Sequence, residues 1–159
     1  MDSQIFIKTI QLMIVPAVMI SAVGLLLLST SNKNSAINSR LRTLNQERRL
    51  FMKKLQEGKE LEFLETFRLQ SIQKQIEFLL FRLKIVRNVI IFYVGGLFLF
   101  ILTSLLIGLA SFIQLNVLHY IMVVTFIIGM ISIAIGLVFA LFENLHGYKV
   151  LVVEIKAEE

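Results

Sequence analysis

The stretch that decides the fold covers residues 88–142, NVIIFYVGGLFLFILTSLLIGLASFIQLNVLHYIMVVTFIIGMISIAIGLVFALF, 55 residues without one Asp, Glu, Lys or Arg. A helix rises about 1.5 Å per residue and the hydrocarbon core of a bilayer is about 30 Å thick, so a span takes about 20 apolar residues. As one helix the stretch would be about 82 Å long, more than tilting can accommodate, so it must turn back on itself. Gln114, Asn116 and His119 mark that turn, near 114–119. A second uncharged run covers residues 9–32. The expectation is three spans, roughly 10–29, 89–113 and 120–142. None alternates with period two, so these are helices and not strands of a closed barrel.

The rest of the composition agrees. The 159 residues are 57% hydrophobic and 17% charged, against about 25% charged in soluble domains. That balance excludes a soluble globular enzyme, and the absence of cysteine excludes a disulfide-stapled domain or a thiolate metal site. A cleaved signal peptide is the competing reading of the first run. The run exceeds the usual apolar core of about 7–15 residues and lacks a small-x-small cleavage pattern, so a retained span is expected.

Orientation follows from lysine and arginine. Residues 33–87 hold 13 of the 16 basic residues with six acids. The positive-inside rule therefore places this connection, and with it the tail, in the cytoplasm, and the amino terminus and the turn near 114–119 outside. Tyr93, Tyr120 and Tyr148 fall near the expected interfaces, as an aromatic belt would. The chain divides into an external amino terminus with the first span (1–32), a cytoplasmic basic hairpin (33–87), the second and third spans (88–142) and a cytoplasmic tail (143–159).

The connection must begin and end at one membrane face, so it must reverse. Ile37, Leu41, Leu44, Phe51 and Leu55 keep a 4-3 spacing with Arg48 in the missing slot; Leu69, Ile72, Ile76, Leu79, Leu83 and Val86 keep another. Between them Gln56-Glu57-Gly58-Lys59-Glu60 suits a helix end and turn. The pattern predicts an antiparallel, coiled-coil-like hairpin with its tip near 58. Phe63, Phe67, Phe78 and Phe81 lie partly off the seam, either packed inside the hairpin or free to meet a second copy or another protein.

At residues 11–33, Pro16-Ala17, Gly24-Leu25-Leu26-Leu27-Leu28 and Asn32-Lys33 are followed by Arg40-Leu41-Arg42-Thr43-Leu44, and Arg82-Leu83-Lys84 with Arg87 precedes the second span. In these features the chain resembles a bacterial membrane family, domain of unknown function 2721, over residues 5–142. It departs from the family's habit at Lys33, where arginine usually follows the asparagine, and at Phe81, where a paired arginine usually precedes Arg82. The resemblance implies a small bacterial inner-membrane protein with three spans, and it carries no activity.

Several groups are candidates for function. Lys33, Arg40, Arg42, Arg82, Lys84 and Arg87 converge on one membrane face, either as anionic lipid headgroup ligands or as ordinary positive-inside residues. In the second span Ser104, Gly108 and Ser111, with Gln114, share a face that would line a pore in an oligomer or serve helix packing. Ser132, Gly136 and Ala140 form a small-residue packing ridge on the third span, and Gly24 does similar service on the first. Pro16 predicts a kink near residues 11–12. Glu143 and His146 have the Glu-x-x-His spacing of a metal pair but no further ligands, and read as interfacial residues. The tail after Lys149 suits either a strand or a continued helix.

There is no catalytic set: no cysteine, no intramembrane acid or base and no Gly-rich phosphate loop. The expectation is a non-enzymatic, homo-oligomeric inner-membrane scaffold without cofactor, metal or nucleic-acid partner. It would present cytoplasmic hairpins to a protein partner or to anionic lipid. The alternative is a small-ion channel on the oligomer axis, lined by the second span.

Overall fold

The computed structural model describes residues 3–58, 62–110 and 116–157. The chain is all-helical there: α1 (Ser3–Gln56), α2 (Phe63–Ala110) and α3 (Asn116–Ala157). Each is long and apolar enough to cross a membrane. At about 1.5 Å per residue they measure about 81, 72 and 63 Å, so all three outrun a hydrocarbon core of about 30 Å. α1 continues unbroken through Pro16 and through residues 34–35, and α3 carries the tail as helix to Ala157.

α1 ends where the sequence loses its apolar period. The Glu57 and Gly58 amides donate to the carbonyls of Lys53 and Leu55 at 3.1 and 3.2 Å, and Gly58 takes φ 71°. That left-handed conformation closes a helix end at little steric cost only in glycine. α2 opens with the Thr66 amide donating to the Glu62 carbonyl at 3.0 Å.

The interior divides into two clusters. In the polar half, Ile37, Leu41 and Leu44 of α1 are buried with Ile72, Ile76 and Val86 of α2, and Phe51, Leu79, Leu83 and Ile90 pack against them. Leu55, the last position of the α1 seam, is exposed. Two ion pairs flank this seam. Lys54 donates to Glu65 at 2.5 Å, and Arg68 grips both oxygens of Glu47, from Nε at 2.9 Å and Nη2 at 3.3 Å. The Arg68 hydrogen bonds hold the Glu47 carboxyl below the ordinary carboxylate range.

In the apolar half Val23, Val89, Tyr93 and Phe100 are buried. Extended packing joins α2 to α1 and α2 to α3. The α2–α3 contact depends on small residues. A Cβ on Gly136 would lie 2.7 Å from the Tyr93 ring, and one on Gly129 would lie 2.9 Å from the Phe100 ring. The Ser132 hydroxyl donates to the Phe92 carbonyl at 2.8 Å, and Thr103 and Thr125 share a 3.0 Å hydrogen bond. Phe92 stacks on Phe139, with ring centroids 5.6 Å apart, and Ala140 packs against the same cluster.

Two readings from the sequence change here. Tyr93 is no belt residue: it is 1% exposed, because the bare backbone at Gly136 lets α3 close over its ring. Gly24 faces open space, with nothing within 4 Å of a Cβ there, so it packs no helix of this chain.

Gly136→Ala drives a methyl group into a fixed aromatic ring and should cost about 1–3 kcal/mol as overpacking. Gly24→Ala should be no less stable than the parent, since alanine is the better helix former. Thermal unfolding in one detergent compares the two. For Glu47, a depressed folded-state pKa means that the pair's contribution is present above the unfolded value near 4.3 and is lost as pH falls through the folded one. The pair is exposed, so the contribution is about 0.5 kcal/mol or less. Distances between spin labels on residues 52 and 63 should broaden below about pH 4, while labels across the α2–α3 contact stay unchanged.

Candidate juxtamembrane charge site

Each helix brings one charged side chain to the level where its uncharged run stops. Lys33 is the first charge on α1 after Lys8, Arg82 lies six residues before the second uncharged run, and Glu143 is the first charge after that run. The structure joins these three. Arg82 donates to Glu143 Oε1 from Nε at 3.0 Å and also from Nη2. Lys33 Nζ donates to Glu143 Oε2 at 3.3 Å and to Asn144 Oδ1 at 2.6 Å. Two cations from two helices thus divide the two oxygens of one carboxylate on the third.

Glu143 is 2% exposed, whereas the Arg82 and Lys33 side chains are 28% and 43% exposed. Glu143 keeps the interfacial level at the end of the third span that the sequence gives it, but its carboxylate is buried between the helices. An ionised carboxylate removed from water is tolerated when cations and hydrogen bonds replace its hydration, and both are supplied here. The Arg82 guanidinium also lies 6.0 Å from the Phe78 ring centroid, at the outer limit of a cation–π contact. Sequence reasoning missed this clasp, and Asn144 with it. The available signal was a lone acid ending a 55-residue uncharged run, at the level where the other two helices carry cations. His146 lies outside the residues whose side chains are described.

A protein-family model, Protein of unknown function (DUF2721), matches residues 13–153. The chain belongs to this family. No curated protein and no solved structure matches it. The matched region contains Lys33, Arg82 and Glu143 together with the apolar parts of all three helices, consistent with a three-span membrane protein.

The six juxtamembrane cations do not all line one recess. Lys33, Arg40 and Arg82, with Asn144, line one recess. Lys84 and Arg87, with Leu80 and Leu83, line another. Arg42 is exposed and lines neither. Of the pore-lining candidates, Ser104 is half-buried and Gly108 faces α1, a Cβ there lying 3.0 Å from Met13 Cε. Ser111 and Gln114 lie outside the described residues.

Removing the carboxylate leaves two cations without their shared partner. Glu143→Ala should lower stability by about 2 kcal/mol, the scale of a hydrogen bond to a charged group. Arg82→Gln, which leaves a buried carboxylate with Lys33 as its one cation, should lose at least as much. Melting both variants in the same detergent gives the order, and the absence of any loss would show that the clasp contributes nothing.

Proposed function

We propose that this protein is a non-enzymatic, homo-oligomeric scaffold of the bacterial inner membrane, which presents an antiparallel hairpin, residues 33–87, to a protein partner in the cytoplasm. The observation that carries the reading is apolar surface at the hairpin's far end. With the seam between α1 and α2 closed, Phe63, Leu64 and Phe67 remain 86%, 74% and 68% exposed. Leu50 of α1 is exposed as well. Apolar groups in lipid have no need of a protein partner, but large ones held in water favour being covered.

Three features support the hairpin and its side. The ion pairs Glu47–Arg68 and Lys54–Glu65 match later positions of α1 with earlier positions of α2, as antiparallel neighbours do. The buried seam draws Ile37, Leu41 and Leu44 from α1 and Ile72, Ile76 and Val86 from α2. Thirteen of the 16 basic residues lie in this segment, which favours the cytoplasm. An axial small-ion channel lined by Ser104, Gly108, Ser111 and Gln114 draws less support, because Gly108 faces α1 of its own chain.

A photo-crosslinking residue in place of Phe67 in intact cells should give discrete protein adducts, while one in place of lipid-exposed Leu137 should not. Adducts between copies report the oligomer, and adducts to another protein report an adaptor. Functional protein with no adduct at Phe67 would sink the reading. Because the chain has no cysteine, Glu57→Cys gives a single-site topology reporter, and labelling it with an impermeant reagent from outside would overturn the orientation.

A further inference from the structure

Three of the juxtamembrane cations share one recess of about 320 Å³, with Ile37 and Leu79 among its apolar lining. That volume falls within the range of small-ligand sites, about 300–1,000 Å³. Its electrostatics are not balanced internally. Glu143 offsets one positive charge of Lys33, Arg40 and Arg82, leaving about two. Glu47, seven residues along α1, attracts Arg40 at longer range, but both of its oxygens accept from Arg68.

Hydrogen-bonding capacity is left over too. A lysine ammonium has three donors and a guanidinium five. Lys33 uses two, on Glu143 and Asn144, and Arg82 directs Nε and Nη2 to one carboxylate oxygen. Arg40 forms no ion pair among the described residues. The spare donors come from two helices and surround one space, an arrangement suited to a group with several acceptor oxygens and one or two negative charges. Phosphate has that form, and arginine recognises it through paired N–H donors.

Depth in the membrane identifies the source of the phosphate. Lys33 lies four residues past the first span, or about 6 Å. The headgroup layer on each side of the hydrocarbon core is about 5–8 Å thick. Arg40 is eleven residues past the span, about 16 Å along the axis, and meets the headgroup from outside that layer through a long side chain that leans toward the helix N-terminus, the membrane side of α1.

We propose that Lys33, Arg40, Arg82 and Asn144 form a binding site for the phosphate of an anionic phospholipid headgroup. The site is distinct from the apolar hairpin tip and does not require the scaffold reading, so crosslinking at Phe67 and lipid binding fail independently.

The test uses full-length protein in mixed micelles and measures binding of fluorescent short-chain phosphatidylglycerol against phosphatidylcholine. Phosphatidylglycerol should bind preferentially. Arg40→Gln removes one cation without touching the Glu143 clasp and should weaken that binding about five-fold, the worth of one juxtamembrane cation. Arg42→Gln and Lys84→Gln, equally basic and near but outside the recess, should weaken it less than two-fold. Arg40→Lys should restore most of the loss, and unchanged helical circular dichroism guards against misfolding. Equal losses at Arg40, Arg42 and Lys84 would show diffuse attraction, and no preference for phosphatidylglycerol would show no anion site. Either overturns the proposal. Full displacement by millimolar glycerol 3-phosphate would assign the recess to a soluble phosphate and overturn the lipid source.

Discussion

A buried carboxylate needs replacement for the water it has lost, and at Glu143 that replacement comes from two other helices. Lys33 and Arg82 can both reach its oxygens only when α1, α2 and α3 stand at one relative height. The clasp therefore links the helices where extended packing does not, since α1 and α3 otherwise share no broad interface. It also sits between two interiors stabilised by different physics. In the polar half, burying Leu44 or Ile72 removes apolar surface from water, worth about 1.5–3 kcal/mol for each side chain. In the apolar half lipid is as apolar as leucine, and association rests on close packing and hydrogen bonds.

That difference explains where the small residues fall. Gly129 and Gly136 let α3 approach the rings of Phe100 and Tyr93, Ser132 donates to the Phe92 carbonyl and Ala140 packs on the same cluster, so each is used inside the chain. Helix packing within the chain thus occupies the ridge that the sequence marks on the third span. The outward faces of all three helices are left with Leu25, Phe98, Leu105 and Val123, suitable for lipid tails. The large apolar side chains left uncovered outside the spans lie at the far end of the α1–α2 pair, where Phe63 and Phe67 are exposed.

The cation distribution follows from the same geometry. Six basic residues near one membrane level act as a single patch only if the helices present them to one side. The helices instead bring five of them to two recesses and leave Arg42 exposed outside both. Within the first recess Glu143 organises Lys33 and Arg82 around a fixed anion, while Arg40 forms no ion pair among the described residues. A structural clasp and a ligand recess can thus share residues, because an arginine and a lysine together carry more donors than one carboxylate can accept.

Much of this protein is legible in the linear chain because lipid and water impose one-dimensional rules. Uncharged run lengths determine three helices able to span a membrane, and the 4-3 spacing picks out Ile37, Leu41, Leu44, Ile72, Ile76 and Val86 as an interior. Gly58 punctuates the helix end for a local reason, its positive φ. Tertiary structure alone decided the rest. Whether Gly24 or Gly136 meets another helix depends on rotation about the helix axis, and an all-apolar span gives no pattern from which to read that rotation. Tyr93 suited an interface by composition and is buried because a glycine 43 positions away leaves room for its ring. Glu143 is charged, yet it is among the most buried side chains, since the cations that make burial tolerable lie 110 and 61 residues earlier in the chain. Periodicity reports the environment along one helix; which charge neutralises which is settled only where three helices meet.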